Sequence, residues 1–381
     1  MEVLVLGAAG FIGAHVTERL LKHNHSVTGV DLYSDKLQEF MSHQQLQFHL
    51  VDIRDPEFDL EKQVQAADLV IDLIAYANPG LYIKMPLEVF NLNFTENLKI
   101  AQACVKFQKR LIQFSTCEVY GRTIASMPDA GLEDPEDPAH ATFSEDGSPL
   151  ILGPIGKHRW IYACAKQLLE RVLHAYGYEQ NFNYTIIRPF NFIGPKIDYL
   201  LSETDGIPRV FSFFMDGLLN GTKMVLVDGG HRRRSYTYID DAVDCIYRII
   251  ENPDGVCDRQ IFNIGHPGNE VSIREMAHQM RDIYARKFKQ PEIPLPEIVV
   301  ESGEEFYGAG YEDSDRRIPD ITKARTLLNW EPHWGFTEML EETMDYYVHD
   351  YRDTFMKARE EGRFMHDIIQ KALREKPQIS E

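Results

Sequence analysis

The chain has 381 residues, of which 44% are hydrophobic and 26% are charged, a composition typical of a soluble globular protein larger than one ordinary domain. Its formal net charge of −19 argues against nucleic acid as a partner, because phosphate backbones bind cationic surfaces. No apolar run reaches the roughly 20 residues of a membrane-spanning helix, and the N-terminus lacks the basic region of a signal peptide. We therefore expect neither a nucleic acid nor a membrane partner.

The cysteine and histidine patterns bear on compartment and metal content. The five cysteines are odd in number and without CxxC spacing, which argues against a disulfide framework or a zinc site. The fourteen histidines show no ligand spacing. The sequence predicts a cytoplasmic protein without a metal.

Short β-rich runs alternate with helical patterns through the first half of the chain. A helix is predicted over residues 11–24, and strands over residues 3–7, 26–33, 46–53, 68–75 and 109–116. This alternation predicts an α/β fold with a doubly wound parallel Rossmann sheet. Near-continuous Val/Ile/Leu runs suit strands that are covered on both faces.

Beyond about residue 190 the pattern is less regular and predicts a smaller lobe. Strand-like runs at 224–230 and 260–265 flank a helical pattern at 240–252, and residues 125–158 have the composition of an ordered surface loop. The predicted units are a Rossmann domain over 1–190, a C-terminal α/β substrate-binding lobe mainly over 191–350 with some segments returning to the Rossmann domain, and a charged helical tail over 351–381.

The stretch GAAGFIG places Gly7, Gly10 and Gly13 directly after the first strand and at the start of the first helix. The glycines permit a tight turn, close approach of the backbone to a pyrophosphate, and close helix–sheet packing. Phe11 and Ile12 lie in the same turn and are assigned to the same dinucleotide site. The alternative is a glycine-rich turn without a ligand, which the flanking strand and helix disfavour.

Two acidic positions follow the glycine-rich turn. Asp31 lies 18 residues past Gly13, at the end of the next strand, where a carboxylate can hold a ribose 2′-hydroxyl and would repel a 2′-phosphate. NAD is therefore predicted over NADP. Asp52 and Ile53 end the third strand and could cover the adenine.

Tyr162 and Lys166 are four residues apart in RWIYACAKQLLERV, so both side chains lie on one helical face. An ammonium beside a phenol lowers the pKa of the phenol and makes it a candidate general base. The alternative is a solvated lysine one turn from a half-buried tyrosine. The preceding dinucleotide motif favours the catalytic interpretation.

Several stretches together resemble the extended short-chain dehydrogenase/reductase superfamily. Within it they resemble the UDP-glucuronate decarboxylase branch, which includes plant UDP-apiose/UDP-xylose synthases and the decarboxylase domain of the lipid A-arabinose pathway enzyme. The stretches span roughly residues 1–345 and are GAAGFIG, STCEVYG, KHRWIYACAKQLLERV, RPFNFIGP, LVDGGHRRRSYTYIDDA, FNIGHPGNEVSI and YGAGYEDSDRRIPDITKA.

The resemblance implies a UDP-glucuronate substrate and an NAD that is regenerated in each turnover. Tyr162 would remove the proton of the sugar 4-hydroxyl, Thr116 would hydrogen-bond the same oxygen, and Lys166 would hold the nicotinamide ribose. Loss of carbon dioxide from the 4-keto sugar leaves an enolate, which calls for a cation and an acid. Arg317 would supply the cation, and Glu118 would be the acid or position a water.

Cys117 has two interpretations. The resemblance implies a proton-transfer role in ring contraction to apiose, since other decarboxylases usually have serine at this position. A second cysteine of the synthases corresponds to Ala77, so a thiol is missing. The alternative role for Cys117 is a small filler near the sugar ring.

The resemblance also implies contacts to the rest of the substrate. Arg159 would reach the sugar or its carboxylate, Asn191 the diphosphate or the sugar, and Arg209 and Arg234 the diphosphate, because guanidinium groups suit phosphate oxygens. Tyr311 is assigned to the same site.

Two basic positions depart from that pattern or fall outside it. Relatives tend to carry lysine where Val225 stands, and Lys223, two residues earlier, is the nearest substitute. Arg316, next to Arg317, is expected to be a solvated surface arginine.

Three functions stay open on the sequence. The first is a UDP-glucuronate decarboxylase that yields UDP-xylose, UDP-apiose or a UDP-4-keto-pentose. The others are a UDP-glucuronate 4-epimerase and a non-catalytic NAD-binding regulatory protein. The resemblance also implies a homodimer, in which the helix 94–108 and the Tyr162 helix form a four-helix bundle.

Overall fold

The computed structural model describes residues 1–124, 131–134, 136–200, 208–307 and 312–353. The expectations for Tyr311, for part of the loop 125–158 and for most of the tail 351–381 lie outside these ranges. Within the described ranges no helix is both long and apolar enough to cross a membrane. The same ranges contain no cluster of metal-ligating side chains, and all five cysteines are free thiols.

Strands and helices alternate through most of the described chain. The strands are β1 (Glu2–Leu6), β2 (Ser26–Asp31), β3 (Leu46–Leu50), β4 (Leu69–Asp72), β5 (Arg110–Phe114), β6 (Thr142–Phe143), β7 (Tyr184–Pro189), β8 (Phe192–Ile193), β9 (Met224–Val227), β10 (Arg233–Ser235), β11 (Thr237–Tyr238), β12 (Gln260–Ile264), β13 (Glu270–Ser272), β14 (Ile298–Glu301) and β15 (Ile318–Pro319). The α-helices are α1 (Phe11–Lys22), α2 (Leu60–Ala66), α3 (Pro79–Lys84), α4 (Pro86–Phe90), α5 (Asn97–Phe107), α6 (Trp160–Gln180), α7 (Val210–Asn220), α8 (Ile239–Glu251), α9 (Ile273–Lys287), α10 (Gly303–Tyr307), α11 (Thr322–Leu328) and α12 (Phe336–His349).

The main sheet has seven strands in the order β12-β7-β5-β4-β1-β2-β3, and every neighbouring pair is parallel. Alternate residues of β1 point to opposite faces: Val3 and Val5 pack into one hydrophobic core, and Leu4 and Leu6 into the other. Both faces of the sheet are therefore covered by apolar packing. The predicted doubly wound Rossmann sheet is confirmed.

The second half forms small two-stranded sheets and also contributes to the main one. The pairs β6–β15, β8–β11 and β9–β14 are parallel, whereas β10–β13 is antiparallel. Strand β12 pairs with β7 at the edge of the main sheet, and α8 packs against α1. The domain boundary at residue 190 stays a prediction, although β12 does lie in the main sheet.

The helix expected over 94–108 consists of two different segments. A π-helix, Asn91–Glu96, precedes α5, and the Asn93 amide donates to the Val89 carbonyl at 2.8 Å. A π-turn contains more residues per turn than an α-turn and is frequent at functional sites. Here the π-helix directly precedes Asn97 of α5, whose side chain accepts a hydrogen bond from Lys166 of α6.

Candidate active site

The glycine-rich turn is shaped for close approach of a ligand. Gly7 has a φ of +83°, which other residues rarely adopt. A Cβ atom at Gly13 would lie 2.1 Å from the Gly7 carbonyl oxygen, so any side chain there would close the turn. The turn and the N-terminus of α1 thus fit the diphosphate of a dinucleotide.

The Asp31 carboxylate lies beside this turn and holds it. Its oxygens accept hydrogen bonds from the backbone N–H of Ala9 at 2.8 Å and of Leu32 at 2.7 Å. Burial raises the pKa of Asp31 to about 7, against the opposing effect of these hydrogen bonds. The position and the acceptor chemistry fit a ribose diol.

Asp52 and Ile53 lie farther along the same edge. The Asp52 carboxylate is held by Arg54, whose Nε lies 2.9 Å from Oδ1 and whose Nη2 lies 2.7 Å from Oδ2. Ile53 packs against one of the cores of the main sheet. Neither contact tests the predicted adenine role.

Tyr162 is buried on α6 between an aromatic ring and the end of β5. Its ring stacks on that of Tyr82, with centroids 4.7 Å apart and planes at 10°, and its hydroxyl hydrogen-bonds to Thr116. Thr116 also caps the 3₁₀ turn Cys117–Tyr120 by accepting from the Glu118 N–H at 3.1 Å. The predicted tyrosine and threonine therefore meet.

The charge environment of Tyr162 differs from the one expected from the Tyr–Lys spacing. Burial raises the pKa of Tyr162 above its ordinary value, and the negative charge of Glu118 adds to that effect. Lys166 Nζ donates to the Phe114 carbonyl at 3.0 Å and to Asn97 Oδ1 at 3.3 Å. The expectation of a lowered tyrosine pKa is wrong for this arrangement, because burial and the Glu118 charge outweigh the Thr116 hydrogen bond and the positive charge of Arg159.

Lys166 itself is fully buried. Burial lowers the pKa of Lys166 to about 8, and the carboxylates of Asp72 and Glu170 oppose the change. Its ammonium group is thus held in place by the Phe114 carbonyl at the end of β5 and by the Asn97 side chain.

One cavity brings most of the predicted substrate residues together, although the predicted catalytic residues Tyr162, Thr116 and Lys166 do not line it. Its wall includes Ala77, Glu118, Arg159, Asn191, Arg209, Val225, Arg234, Asp313 and Arg317. The cavity thus combines cationic, acidic and apolar side chains from both halves of the chain.

Glu118 and Arg159 form a bidentate ion pair in this cavity. Arg159 Nη1 lies 2.6 Å from Oε2 of Glu118, and Nη2 lies 3.2 Å from Oε1. Burial alone would raise the pKa of Glu118, but Arg159 and Arg317 outweigh burial and lower it. Glu118 is therefore held as a carboxylate.

Asp313 is the second acidic group of the cavity and is not among the site residues predicted from the sequence. Its carboxylate accepts from Arg159 Nη2 at 2.9 Å and from Arg234 Nη2 at 2.7 Å, and Oδ1 lies 3.7 Å from Arg317 Nη2. Burial would raise the pKa of Asp313, but the three arginines hold it well below its usual range. Three guanidinium groups thus share this carboxylate.

Arg317 is 3% exposed, and its Nε has no hydrogen-bond partner among the described residues. Arg316, expected to be solvated, is largely buried: its Nε and Nη2 bind the Glu270 carboxylate at 2.8 and 2.9 Å. That expectation is wrong, because Glu270 on β13 reaches across to the guanidinium. The two neighbouring arginines therefore have different surroundings.

Cys117 is buried beneath the arginines. It packs with Val119, Tyr120, Phe143 and Phe190 and is absent from the cavity wall. Burial raises the pKa of the Cys117 thiol, although Arg317 opposes this effect. The thiol is therefore neutral at ordinary pH.

Arg209 and Asn191, two further residues predicted to contact substrate, also line the cavity. Arg209 forms a fork with Asp198, at 2.9 Å from Nε and 2.7 Å from Nη2, and Asn191 Nδ2 donates to the Ser235 carbonyl at 3.2 Å. Val225 faces the cavity, whereas Lys223 pairs with Glu301 outside it. Lys223 therefore does not replace a lysine at position 225.

Residues 3–265 match the NAD dependent epimerase/dehydratase family. The chain belongs to this family. The match confirms the superfamily that the motifs predict.

Curated and solved relatives of the family cover almost the whole chain. UDP-D-apiose/UDP-D-xylose synthase 1 of Arabidopsis thaliana is 41% identical, over 94% of each chain. The crystal structure of the PbgP3 protein from Burkholderia pseudomallei aligns with a TM-score of 0.78 and 35% identity, over 93% of this chain and 98% of that one. A UDP-glucuronic acid 4-epimerase from Bacillus cereus, solved with UDP-glucuronic acid and NAD, has a TM-score of 0.72 at 24% identity over 91% and 98% of the two chains; this likeness concerns the fold alone.

Proposed function

We propose that this protein is a nucleotide-sugar decarboxylase that oxidises UDP-glucuronate at C4 and decarboxylates the 4-keto intermediate to a UDP-pentose. The observation that carries the proposal is the buried Arg317 guanidinium, which lines one cavity together with Glu118 and Arg159. The charges of Glu118 and Arg159 also act on the buried Tyr162. The synthases at 40–41% identity over 94% of the chain support the same reaction.

NAD is the cofactor of this family, and the fit of the glycine-rich turn and Asp31 supports its binding here. When bound, it supplies reversible hydride transfer at the sugar C4. Gly7, Gly10 and Gly13 would hold the diphosphate together with Phe11 and Ile12 of the same turn. Asp31 would hold the adenosine ribose, with Asp52 and Ile53 beside the adenine and Lys166 at the other ribose.

Tyr162 is the proposed base for the sugar 4-hydroxyl. Its hydroxyl is fixed by Thr116 and its ring by Tyr82, so the acceptor atom is held in one place before substrate enters. Because burial raises its pKa, Tyr162 is protonated in this arrangement. It can act as the base only where added positive charge lowers that pKa.

Arg317 is the proposed cation for the decarboxylation. Oxidation at C4 makes the C6 carboxylate a β-keto acid, and loss of carbon dioxide places negative charge on the C4 oxygen and C5. A buried guanidinium stabilises such charge far better than one in water. Glu118 is ionised in its pair with Arg159, so we assign it the positioning of a water for C5 protonation.

The substrate's nucleotide end would lie toward Arg209, Asn191 and Arg234, which also line the cavity. Guanidinium forks suit the diphosphate oxygens. This part of the proposal has a direct test, since Arg209→Ala should raise the KM for UDP-glucuronate more than it lowers kcat.

Cys117 is a proposed participant only if apiose is formed. The neutral thiol is buried and does not line the cavity, whereas Ala77, which by resemblance replaces the second cysteine of the synthases, does line it. Product ratios from Cys117→Ser test the role: a shift between branched and straight pentose supports it, and an unchanged ratio rejects it.

Incubation of the protein with UDP-glucuronate, followed by NMR and by carbon dioxide release, tests the main proposal. A nucleotide pentose with stoichiometric carbon dioxide is expected, and Tyr162→Phe should lower the rate by orders of magnitude. UDP-galacturonate without carbon dioxide would instead establish the 4-epimerase. An unchanged nucleotide sugar in the presence of bound NAD would favour the regulatory protein.

We further propose a cytoplasmic homodimer built through α5 and α6. These helices pack on one another. Exposed apolar side chains lie on or near them: Leu87 is 82% exposed and Tyr178 is 87% exposed. Leu168 is also exposed and lies on the same face of α6 as the exposed Cys164. Light scattering should give twice the chain mass, and Leu168→Glu should give a monomer. The free cysteines support a reducing compartment.

A further inference from the structure

A buried chain of polar side chains lies behind the cavity and ends on the segment 115–121. None of its members lines the cavity, and each is at most 5% exposed. In order of contact they are Ser115, Glu170, Arg188, Tyr120 and Asn263.

The first contact fixes the start of the segment. Arg188 on β7 forms a fork with Glu170 on α6, with Nε at 3.0 Å from Oε1 and Nη2 at 2.6 Å from Oε2. Ser115 Oγ donates to the same Oε1. Lys166, one turn before Glu170, donates to the carbonyl of Phe114. Consecutive residues at the end of β5 are therefore attached to α6.

The second contact fixes the end of the segment. Arg188 Nη1 donates to the Tyr120 hydroxyl at 2.8 Å, and that hydroxyl donates to Asn263 Oδ1 at 2.7 Å. The Tyr120 ring also stacks on Phe143, with centroids 4.6 Å apart. Because Asn263 belongs to β12, the end of the segment is attached to the edge of the main sheet.

Two residues between these contacts, Thr116 and Glu118, bind groups of the proposed active site. Thr116 hydrogen-bonds to Tyr162, and Glu118 pairs with Arg159. We propose that the Arg188–Glu170 pair, acting through Ser115 and Tyr120, is a positioning device that holds Thr116 and Glu118 against the reacting groups. The use of turnover as a readout rests on the proposed function.

The energetics favour positioning over net stabilisation. A buried ion pair contributes little to stability, since desolvation offsets its Coulomb attraction, and an apolar pair of the same shape often folds as well. A network whose donors and acceptors are satisfied does restrict the geometry of its members. Here that restriction falls on a short turn with a proposed catalytic role.

Two mild substitutions test the proposal because each removes a hydroxyl and leaves the ion pair. Ser115→Ala loses the bond to Glu170, and Tyr120→Phe loses the bonds to Arg188 and Asn263. Ser115→Ala and Tyr120→Phe should each lower kcat by roughly 10- to 100-fold, as expected for small displacements of reacting groups, with KM for UDP-glucuronate changed by less than about twofold. The double variant should lose less than the product of the single losses, because both contacts act through one pair.

Buried hydroxyls outside the network provide matched controls. Thr185 Oγ1 on β7 donates to the Cys257 carbonyl at 2.8 Å, and the Tyr184 hydroxyl contacts His174 at 3.4 Å. Thr185→Val and Tyr184→Phe should keep kcat. A lower melting temperature with unchanged kcat in the Ser115 and Tyr120 variants would overturn the proposal, and so would a rise in KM alone.

Amide hydrogen exchange gives a second readout that needs no substrate. Residues 115–121 should exchange faster in Ser115→Ala and Tyr120→Phe than in the wild type, whereas exchange over 184–189 stays unchanged. If the wild type fails to turn over UDP-glucuronate, the proposed function fails while faster exchange still supports the positioning device. Unchanged exchange at 115–121 would refute the device in either case.

Discussion

Arg159 Nη2 donates to Asp313 Oδ1 at 2.9 Å, and this bond connects the start of the Tyr162 helix with the segment that carries Arg317. The other oxygen of Asp313 accepts from Arg234 at 2.7 Å. One carboxylate therefore holds guanidinium groups from three separate parts of the chain. The substrate that we propose brings a carboxylate of its own to the same place.

Asp313→Asn should destabilise the protein in the absence of substrate. Removal of one partner from a buried ionic cluster leaves uncompensated charge and costs about 3 kcal/mol. UDP-glucuronate should then raise the melting temperature of the variant more than that of the wild type, because its carboxylate restores a counter-charge. Thermal unfolding with and without the nucleotide sugar measures both effects.

The neighbouring Asp315 is exposed and offers a matched control for Asp313. Asp315→Asn should change the free energy of unfolding by no more than about 0.5 kcal/mol, as for most surface substitutions. Equal ligand-induced shifts in Asp313→Asn and the wild type would refute the shared counter-charge.

Arg317→Met and Arg316→Met should affect different properties. Loss of the Arg317 guanidinium should slow carbon dioxide release by at least roughly 100-fold, the usual effect of removing one electrostatic contact to a developing anion, while oxidation at C4 persists. Arg316→Met should lower stability through the loss of the Glu270 pair and keep turnover per folded molecule. Absorbance at 340 nm and carbon dioxide release separate the two steps; equal losses in both variants would contradict the assignment.

Five of the seven main-sheet strands, β1 to β5, were predicted from the sequence, whereas β7 was not and β12 was predicted for the smaller lobe. Among the strands of the small sheets, only β9 matches a predicted strand-like run. Strands buried on both faces, such as β1 and β4, are continuous apolar runs, and the glycine-rich turn marks where the first strand ends. Strand β15 has two residues and pairs with β6 from a distant part of the chain. No local pattern identifies such a pair, because it depends on tertiary contact.

The same division holds for the site. Tyr162 and Lys166 are predictable because helical spacing puts them on one face. Tyr82 and Asp313 have partners from distant segments, although Asp313 lies four residues before Arg317 in the stretch YGAGYEDSDRRIPDITKA. The pKa of Tyr162 was predicted in the wrong direction because burial, which local sequence does not reveal, has the larger effect.

Asp31 should make NAD binding depend on pH. Burial raises its pKa to about 7, and the negative charge of Asp35 acts in the same direction. At pH 6 the carboxyl group is mostly neutral, and at pH 8 it is mostly ionised and a better acceptor for ribose hydroxyls. The affinity for NAD should therefore rise by up to roughly tenfold from pH 6 to pH 8.

Isothermal titration at the two pH values measures the effect of Asp31 directly. Asp31→Asn keeps the shape of the side chain and cannot ionise, so its affinity for NAD should be lower and should vary little with pH. A wild-type affinity that is the same at pH 6 and pH 8 would be inconsistent with a role for the ionised carboxylate.

The stacking of Tyr82 on Tyr162 should be needed for a normal kcat, and it should depend on the ring of Tyr82 and not on its hydroxyl. Tyr82 is 1% exposed, and the Arg159 guanidinium lies 5.9 Å from its ring centroid, so the ring is held on more than one side. Tyr82→Phe keeps the stack and should change kcat by less than about threefold, since an aromatic pair contributes about 0.5–1.5 kcal/mol and most of that is retained.

Tyr82→Leu removes the ring that fixes the plane of Tyr162. It should lower kcat by roughly tenfold, the rate equivalent of about 1.4 kcal/mol. Steady-state kinetics on both variants, with circular dichroism to establish that each is folded, provide the comparison. Wild-type rates in both variants would remove the stack from the mechanism. An equally large loss in both would assign the effect to the Tyr82 hydroxyl, because that group is absent from each variant.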